Sequence, residues 1–141
     1  MSALSIFKFT PPLLINSSFS MKRPQKPDDV VNIHLCRNII KNVEDNSALV
    51  ELRVQLNKEE EKENEDPCFV AEVTLQSMFS WPKELDQEKV DDLLRVNAPA
   101  LLISYARPIF VQLTAASPVP TYNLPFLNMN ELFNDNSGEK D

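Results

Sequence analysis

The first two thirds of the chain alternate apolar and polar residues with a period of two. Residues 50 to 56 are apolar at every even position, and residues 69 to 79 and 31 to 39 repeat the alternation. This pattern is typical of strands that bury one face. A fourth strand is predicted over residues 6 to 15, broken by Pro11-Pro12 because two adjacent prolines cannot both sit in a central ladder.

After residue 82 the period changes to that of a helix. Residues 85 to 94 have helical spacing, and Pro99 is predicted to end that helix. A second helix, residues 101 to 113, is apolar almost all round, and Pro108 is expected to kink it or delay its start. A third, short helix is predicted over residues 128 to 133.

Strands followed by helices indicate an α+β fold. We predict a four-stranded antiparallel sheet followed by two or three helices packed on one face. A short turn over residues 44 to 47 favours the antiparallel arrangement. Residues 1–133 are predicted to form a single domain, and residues 134–141 a disordered polar tail.

Composition excludes several classes of protein. The 141 residues include 14 Lys and Arg against 21 Asp and Glu, a formal charge of −7, and a single glycine, Gly138. Without glycine, no phosphate-binding loop, dinucleotide fingerprint or nucleophile elbow can be built. The acidic balance argues against nucleic acid, which is bound through Lys and Arg. We therefore expect neither an enzyme nor a nucleic-acid-binding protein, and no cofactor.

Charge is unevenly distributed along the chain. Residues 1–27 contain no acid, and Arg107 is the only charged side chain between Asn97 and Asn130. A stretch with so little charge is expected to be buried or to form a partner surface. A buried arginine must find carboxylates, carbonyls or solvent, so Arg107 is interpreted as a structural anchor, with ligand recognition as the alternative.

The chain is predicted to be cytoplasmic and to lack a membrane span. Its first residues do not follow the pattern of a secretory signal peptide. The most apolar stretch, residues 98 to 116, is long enough to cross a bilayer, but it carries Arg107 and Pro108 in its middle. A buried core helix is the better interpretation.

His34, Cys36 and Cys68 offer the only soft metal ligands. His34 and Cys36 would share one face of a strand. If Cys68 lay on a neighbouring strand, the three could form an incomplete zinc site or a Cys-His nucleophile. The spacing shows no such strand contact, and ordinary strand residues are the favoured interpretation.

Four motifs follow one another in the C-terminal third. They are Asn97-Ala-Pro99, Tyr105-Ala-Arg107, Pro120-Thr-Tyr-Asn-Leu-Pro125 and Asn128-Met-Asn-Glu-Leu-Phe133. With the strand of residues 69 to 79, they resemble the protein-export chaperone family SecB in order and spacing.

This resemblance implies a four-stranded antiparallel sheet backed by helices, and a homotetramer built as a dimer of dimers. It further implies apolar grooves that hold unfolded or pre-secretory polypeptides without ATP. The alternative is an adaptor with the same fold that binds one specific protein and has no role in export.

The resemblance also implies roles for individual residues, wherever a motif of this chain matches a motif of the family. Those with a structural role are Asn97, Pro99, Tyr105, Arg107, Asn123 and Asn128. The client-binding groove is predicted to involve Met78, Phe79, Trp81, Leu124 and Phe126. The family docks the basic tail of the SecA motor partly through acids on its first strand, and their absence from residues 1–27 argues against that partner.

Overall fold

The computed structural model describes residues 7–58, 66–125 and 127. These residues form an antiparallel sheet followed by one helical run. The elements are β1 (Lys8–Phe9), β2 (Leu13–Met21), β3 (Ile33–Asn42), a 3₁₀ turn (Val43–Asp45), β4 (Ser47–Leu56), β5 (Phe69–Ser80), α1 (Gln87–Asp92), a π-helical segment (Leu93–Asn97) and α2 (Ala98–Ala115).

The strand β5 is central to the sheet. It pairs with β4 along one edge, and with β1 and then β2 along the other, while β3 lies beyond β4. All of these pairings are antiparallel, which confirms the predicted α+β fold with an antiparallel sheet. The predicted count of four strands is wrong by one, because the break at Pro11-Pro12 divides the first strand into β1 and β2. Thr10 continues the edge across this break by donating its N–H to the Met78 carbonyl.

Alternation along the strands gives the sheet two different faces. The helix face carries the even-numbered residues of β4 and the odd-numbered residues of β5, all of them buried. Leu52 and Val73 are completely buried there, and burial of a side chain of this size contributes about 1.5–3 kcal/mol. The other face, termed the open face, carries Glu72 and Met78, and none of the described helices packs on it.

The helical run differs from the expected two or three helices. Residues 87 to 115 are continuous through the π-helical segment, and Pro99 lies in the first turn of α2 rather than ending a helix. In an α-helix the N–H of residue 99 would bond the carbonyl of Arg95, and proline has no N–H to give. Arg37 of β3 donates to that carbonyl instead. The predicted break is therefore wrong because the sheet supplies the missing donor.

One of the two effects predicted for Pro108, a late start of the helix, is also wrong. The α2 helix begins at Ala98 and continues through Pro108 to Ala115. The carbonyl that Pro108 leaves without its helical donor belongs to Ser104, which is exposed, so water can satisfy it. The predicted helix over residues 128 to 133 and the predicted tail over residues 134–141 lie outside the described residues.

Asparagine supports the two left-handed backbone positions of the described residues. Asn46 has φ 51° in the tight turn between β3 and β4, and Asn57 has φ 60° after β4. Asparagine tolerates this region better than most residues with a β-carbon. Asn57 is buried, exchanges hydrogen bonds with the backbone of Asn32 at 2.8 and 3.0 Å, and donates its amide to the Phe69 carbonyl at 3.0 Å.

An ion pair orders the connection that leaves β2. The Arg23 guanidinium donates two hydrogen bonds to the Asp29 carboxylate, at 2.9 and 2.7 Å. These bonds hold the pKa of Asp29 well below its usual range. Arg23 also bonds the Asp66 carbonyl at 3.0 Å, which ties this connection to the residues that lead into β5.

Within residues 7–58, 66–125 and 127, no helix combines the length and the apolar character needed to cross a membrane. Most of the buried hydrophobic residues among those described share one core cluster between the helical run and the sheet.

Replacement of the two left-handed asparagines by glycine should have unequal effects on stability. Asn57→Gly keeps the backbone geometry but removes the two side-chain hydrogen bonds to the Asn32 N–H and the Phe69 carbonyl, so we expect a loss of about 1–3 kcal/mol in the free energy of unfolding. Asn46→Gly should change stability by about 0.5 kcal/mol or less, since glycine adopts positive φ without cost. Urea denaturation measures both, and equal losses would contradict the role given to the Asn57 side chain.

Replacement of Arg37 tests how the helix passes Pro99. Arg37→Met should lower the free energy of unfolding by about 1–3 kcal/mol, because the Arg95 carbonyl loses a charged donor in a partly buried place. Arg53→Met, on the exposed open face of β4, is the matched control and should cost under about 0.5 kcal/mol. Thermal denaturation followed by circular dichroism distinguishes these outcomes, and similar losses for both would refute the assignment.

Candidate functional site

Four aromatic side chains meet where β1 pairs with the end of β5. Phe7 stacks on Phe79 with ring centroids 5.4 Å apart and on Trp81 at 6.1 Å, and Phe9 lies 6.0 Å from Phe79. We call these four residues the aromatic cluster. Phe79 is 1% exposed and Phe9 44% exposed, so the cluster has a buried floor and an open side. Rings at these separations attract one another while leaving apolar surface available to a further side chain.

The register of β1 against β5 brings these rings together. Phe9 lies opposite Phe79 and Lys8 opposite Ser80. Because neighbours on a strand point to opposite faces, the alternation Phe-Lys-Phe directs both phenylalanines to the helix face and Lys8 away from it. Trp81 follows β5 directly and is fixed by its N–H, which donates to the Asn46 carbonyl at 3.1 Å.

A cleft of about 300 Å³ adjoins the aromatic cluster. Lys8, Ser80, Trp81 and Pro82 line it. Lys8 is exposed, and none of the carboxylates in the described residues forms an ion pair with it. The cleft therefore combines two apolar rings with a hydroxyl and an ammonium group.

The edge that continues from the aromatic cluster is also apolar and open. Leu13, Leu14 and Ile15 of β2 are 63%, 50% and 48% exposed. Among the described strands, β2 pairs only with β5, so its outer backbone groups are available. An exposed apolar edge of this kind is a template for another strand.

The outer side of α2 is a second uncharged surface. Ser104, Tyr105, Pro108 and Gln112 are exposed along it. Leu101 and Ile109 are partly buried between them. A helix side that faces water normally carries charged residues, so this side has the composition of an interface.

The structure brings together only part of the predicted client-binding groove. Phe79 and Trp81 both contact Phe7 in the aromatic cluster. Met78, the neighbour of Phe79, is 42% exposed on the open face and cannot join that cluster within one chain. Leu124 is buried, and Phe126 lies outside the described residues.

Arg107 holds the segment that follows α2. Its guanidinium donates to the carbonyls of Leu124 at 3.3 Å and Pro125 at 3.0 Å. The buried hydroxyl of Thr114 accepts the Tyr122 N–H at 2.8 Å and donates to the Phe110 carbonyl. Carbonyls rather than a carboxylate thus receive the Arg107 cation, and the segment lies against the helix that precedes it.

The other motif residues occupy different environments. Asn97 is exposed at the end of the π-helical segment, and Pro99 is buried in the first turn of α2. Tyr105 is exposed on the outer side of α2, and Asn123 is exposed beside the buried Leu124. Asn128 lies outside the described residues.

His34, Cys36 and Cys68 do not meet. His34 and Cys36 lie on the open face of β3, whereas Cys68 precedes β5, and β4 separates β3 from β5. In the part of the chain that the structure describes, no group of three or more His, Cys, Asp or Glu residues could hold a metal ion. Burial raises the pKa of the Cys68 thiol, which disfavours the nucleophilic thiolate.

Sequence reasoning missed Phe7, Phe9 and Lys8 as site residues. The signal was present, because Phe-Lys-Phe in a predicted edge strand places two aromatic rings on one face and a cation on the other. What the pattern could not supply was the partner strand, which is 70 residues away in the pair Phe9–Phe79.

The sequence of this chain matches that of a known protein family. The model of the family described as "Preprotein translocase subunit SecB" matches residues 14–140. The protein-export protein SecB of Anaplasma phagocytophilum (strain HZ) is 30% identical over 88 residues, which cover 61% of this chain and 55% of that protein. The chain thus spans about half the length of the curated relative it matches.

A solved structure of known fold also resembles this chain. A SecB-like chaperone of Mycobacterium tuberculosis, in complex with a ChAD peptide from the HigA1 antitoxin, matches with a TM-score of 0.65 and 15% identity. The match covers 88% of this chain and 93% of that one. A Streptococcus agalactiae protein of unknown function matches with a TM-score of 0.47 and 14% identity, covering 85% and 97%. The family model covers nearly the whole chain, and the chain belongs to the SecB family.

Proposed function

We propose that this protein is an ATP-independent chaperone that holds unfolded polypeptide segments against the aromatic cluster. The observation that carries the proposal is the open side of this cluster, where Phe9 is exposed over the buried ring of Phe79. The SecB family membership supports the same role. The proposed binding surface consists of Phe79 and Trp81, which belong to the predicted groove, together with Phe7 and Phe9.

Binding at this surface would be driven by removal of apolar area from water. Such burial contributes about 25 cal/mol per Å², and ordering a flexible client opposes it. Several weak contacts along an extended segment therefore suit a protein that must release its client. Composition offers no phosphate-binding loop for a nucleotide, and we propose no catalytic role.

Assembly would complete the binding surface. We propose that β1 and β2 pair with a second copy along the exposed edge of Leu13, Leu14 and Ile15. The uncharged outer side of α2 would then join two such dimers into a homotetramer. Two different uncharged surfaces on one chain support a dimer of dimers, because each isologous interface uses one of them.

The open face argues against docking of the SecA motor through the first strand. Glu72 of β5 lies beside β2, and its carboxylate accepts a hydrogen bond from Asn16 at 3.1 Å and another from Gln55 at 3.4 Å. β1 and β2 themselves carry no acid. We propose action in the cytoplasm, on unfolded chains that include pre-secretory ones, without this route to the motor.

A second candidate function is an adaptor for one specific polypeptide. The observation that favours it is the Mycobacterium tuberculosis structure of the same fold, which contains a peptide from a single antitoxin. The two functions differ in what the purified protein captures from a lysate. One dominant polypeptide would indicate the adaptor, and many nascent chains would indicate the general chaperone.

The chaperone proposal is tested by the aggregation of an unfolding client without nucleotide. The wild-type protein at stoichiometric oligomer should delay light scattering by the client. Phe9→Ser should weaken client binding by about 1 kcal/mol, or about fivefold in Kd, because Phe9 presents roughly half of its ring. Val30→Ser removes an even more exposed apolar side chain away from the cluster and should leave the delay unchanged. No delay by the wild type would count against the chaperone, and equal effects of the two variants would count against this surface.

The assembly proposal is tested by molar mass in solution. A Leu13→Lys substitution places a charge on the exposed edge of β2, and two such edges in contact would repel each other. We expect light scattering to report a smaller oligomer for Leu13→Lys than for the wild type. Val30→Lys carries the same charge outside the strands and should keep the wild-type mass. An unchanged mass for Leu13→Lys would exclude this edge as the interface.

A further inference from the structure

We propose that the cleft beside the aromatic cluster recognises a carboxylate that lies next to an apolar residue of the client. Lys8 would supply the cation, Ser80 a hydroxyl donor, and Trp81 and Pro82 the apolar wall. This inference rests on the proposed function and specifies the class of segment that the surface prefers.

The β1–β5 pairing places Lys8 at the end of the sheet, beside the aromatic cluster. Lys8 lies opposite Ser80 in the β1–β5 pairing, so its side chain and the Ser80 hydroxyl share the open face at the end of the sheet. Phe7 and Phe9, on either side of it in sequence, point to the helix face and join the aromatic cluster. A client side chain on the cluster would therefore have its neighbour in sequence within reach of Lys8.

Lys8 lies in a part of the sequence that has little other charge. Lys8 is the only charged side chain in residues 1 to 21, although the whole chain has a formal charge of −7. None of the described carboxylates forms an ion pair with Lys8. A cation without an acidic partner, on an edge that is otherwise uncharged, is complementary to an anionic ligand.

The cleft is small. A volume of about 300 Å³ accepts a single side chain or a chain end rather than a folded domain. Two sources can supply the carboxylate, namely an Asp or Glu side chain within a segment, or the terminal carboxylate of a chain. The ammonium of Lys8 recognises both as a point charge, and the experiment separates them.

The test uses the fluorescence of Trp81, the single tryptophan of the chain, which lines the cleft. Four peptides without tryptophan, each with two Phe and two Leu, are titrated into the full-length protein. Three have blocked ends and differ only in one central Glu, Gln or Lys, and the fourth is the Gln peptide with a free terminal carboxylate.

We expect the Glu peptide to bind about two- to fivefold more tightly than the Gln peptide at low salt, and the Lys peptide to bind most weakly. The advantage should disappear in 1 M NaCl, where charges are screened within about 3 Å. It should also disappear in Lys8→Met, persist in Lys8→Arg, and persist in Lys89→Met, a matched control on α1. An advantage for the fourth peptide instead of the Glu peptide would assign the cleft to chain ends.

Equal binding of all four peptides, or a Glu preference that survives Lys8→Met, would overturn the inference and leave the proposed chaperone function intact. Absence of binding by any of the peptides would overturn both. Circular dichroism of Lys8→Met establishes that the variant is folded, which is expected because Lys8 is exposed.

Discussion

The antiparallel pairing of β5 with the N-terminal edge is the interaction on which the rest of the structure depends. It places Phe9 opposite Phe79 and Lys8 opposite Ser80. A slip of one residue would move every side chain of the edge to the other face, so the aromatic cluster and the cation beside it exist in this register alone. The same β5 residues pair with β4 on their other side, so β5 is held along both of its edges. The strand β5 therefore contributes to both the core and the candidate site. Its inner residues are buried in the core, and Phe79 near its end belongs to the aromatic cluster.

The period-two pattern predicted the strands because each strand buries one face, and that requirement is visible locally. The same pattern implies that Met78 and Phe79 point to opposite faces of β5, and the structure places Met78 exposed and Phe79 buried. The helix breaks were mispredicted for a different reason. Pro99 removes a donor wherever it lies, and the donor that replaces it belongs to Arg37, a residue of β3 that no local window contains. Pairings across long separations, such as Phe9 with Phe79, are likewise invisible to periodicity.

The near absence of glycine is compatible with this fold because asparagine occupies the two described positions of positive φ. Asn46 closes the turn between β3 and β4, and its carbonyl accepts a hydrogen bond from the Trp81 N–H. Asn57 follows β4, and its side-chain amide donates a hydrogen bond to the carbonyl of Phe69 at the start of β5. An asparagine at such a position costs more backbone strain than glycine but adds side-chain hydrogen bonds that glycine cannot make. The scarcity of glycine that excludes nucleotide-binding loops therefore leaves both of these positions to asparagine.

Exposed apolar strand edges normally carry charges that prevent association, and β2 has none. Its composition therefore favours contact with a further strand, whether of a second copy or of a client. An acid on this edge would attract a basic motor tail but would also repel a second copy across a two-fold axis. Placing all acids after the first strand removes that repulsion, and it leaves Lys8 as the only charged side chain in residues 1 to 21. The distribution of charge that weakens the case for motor docking is therefore compatible with the proposed assembly along this edge.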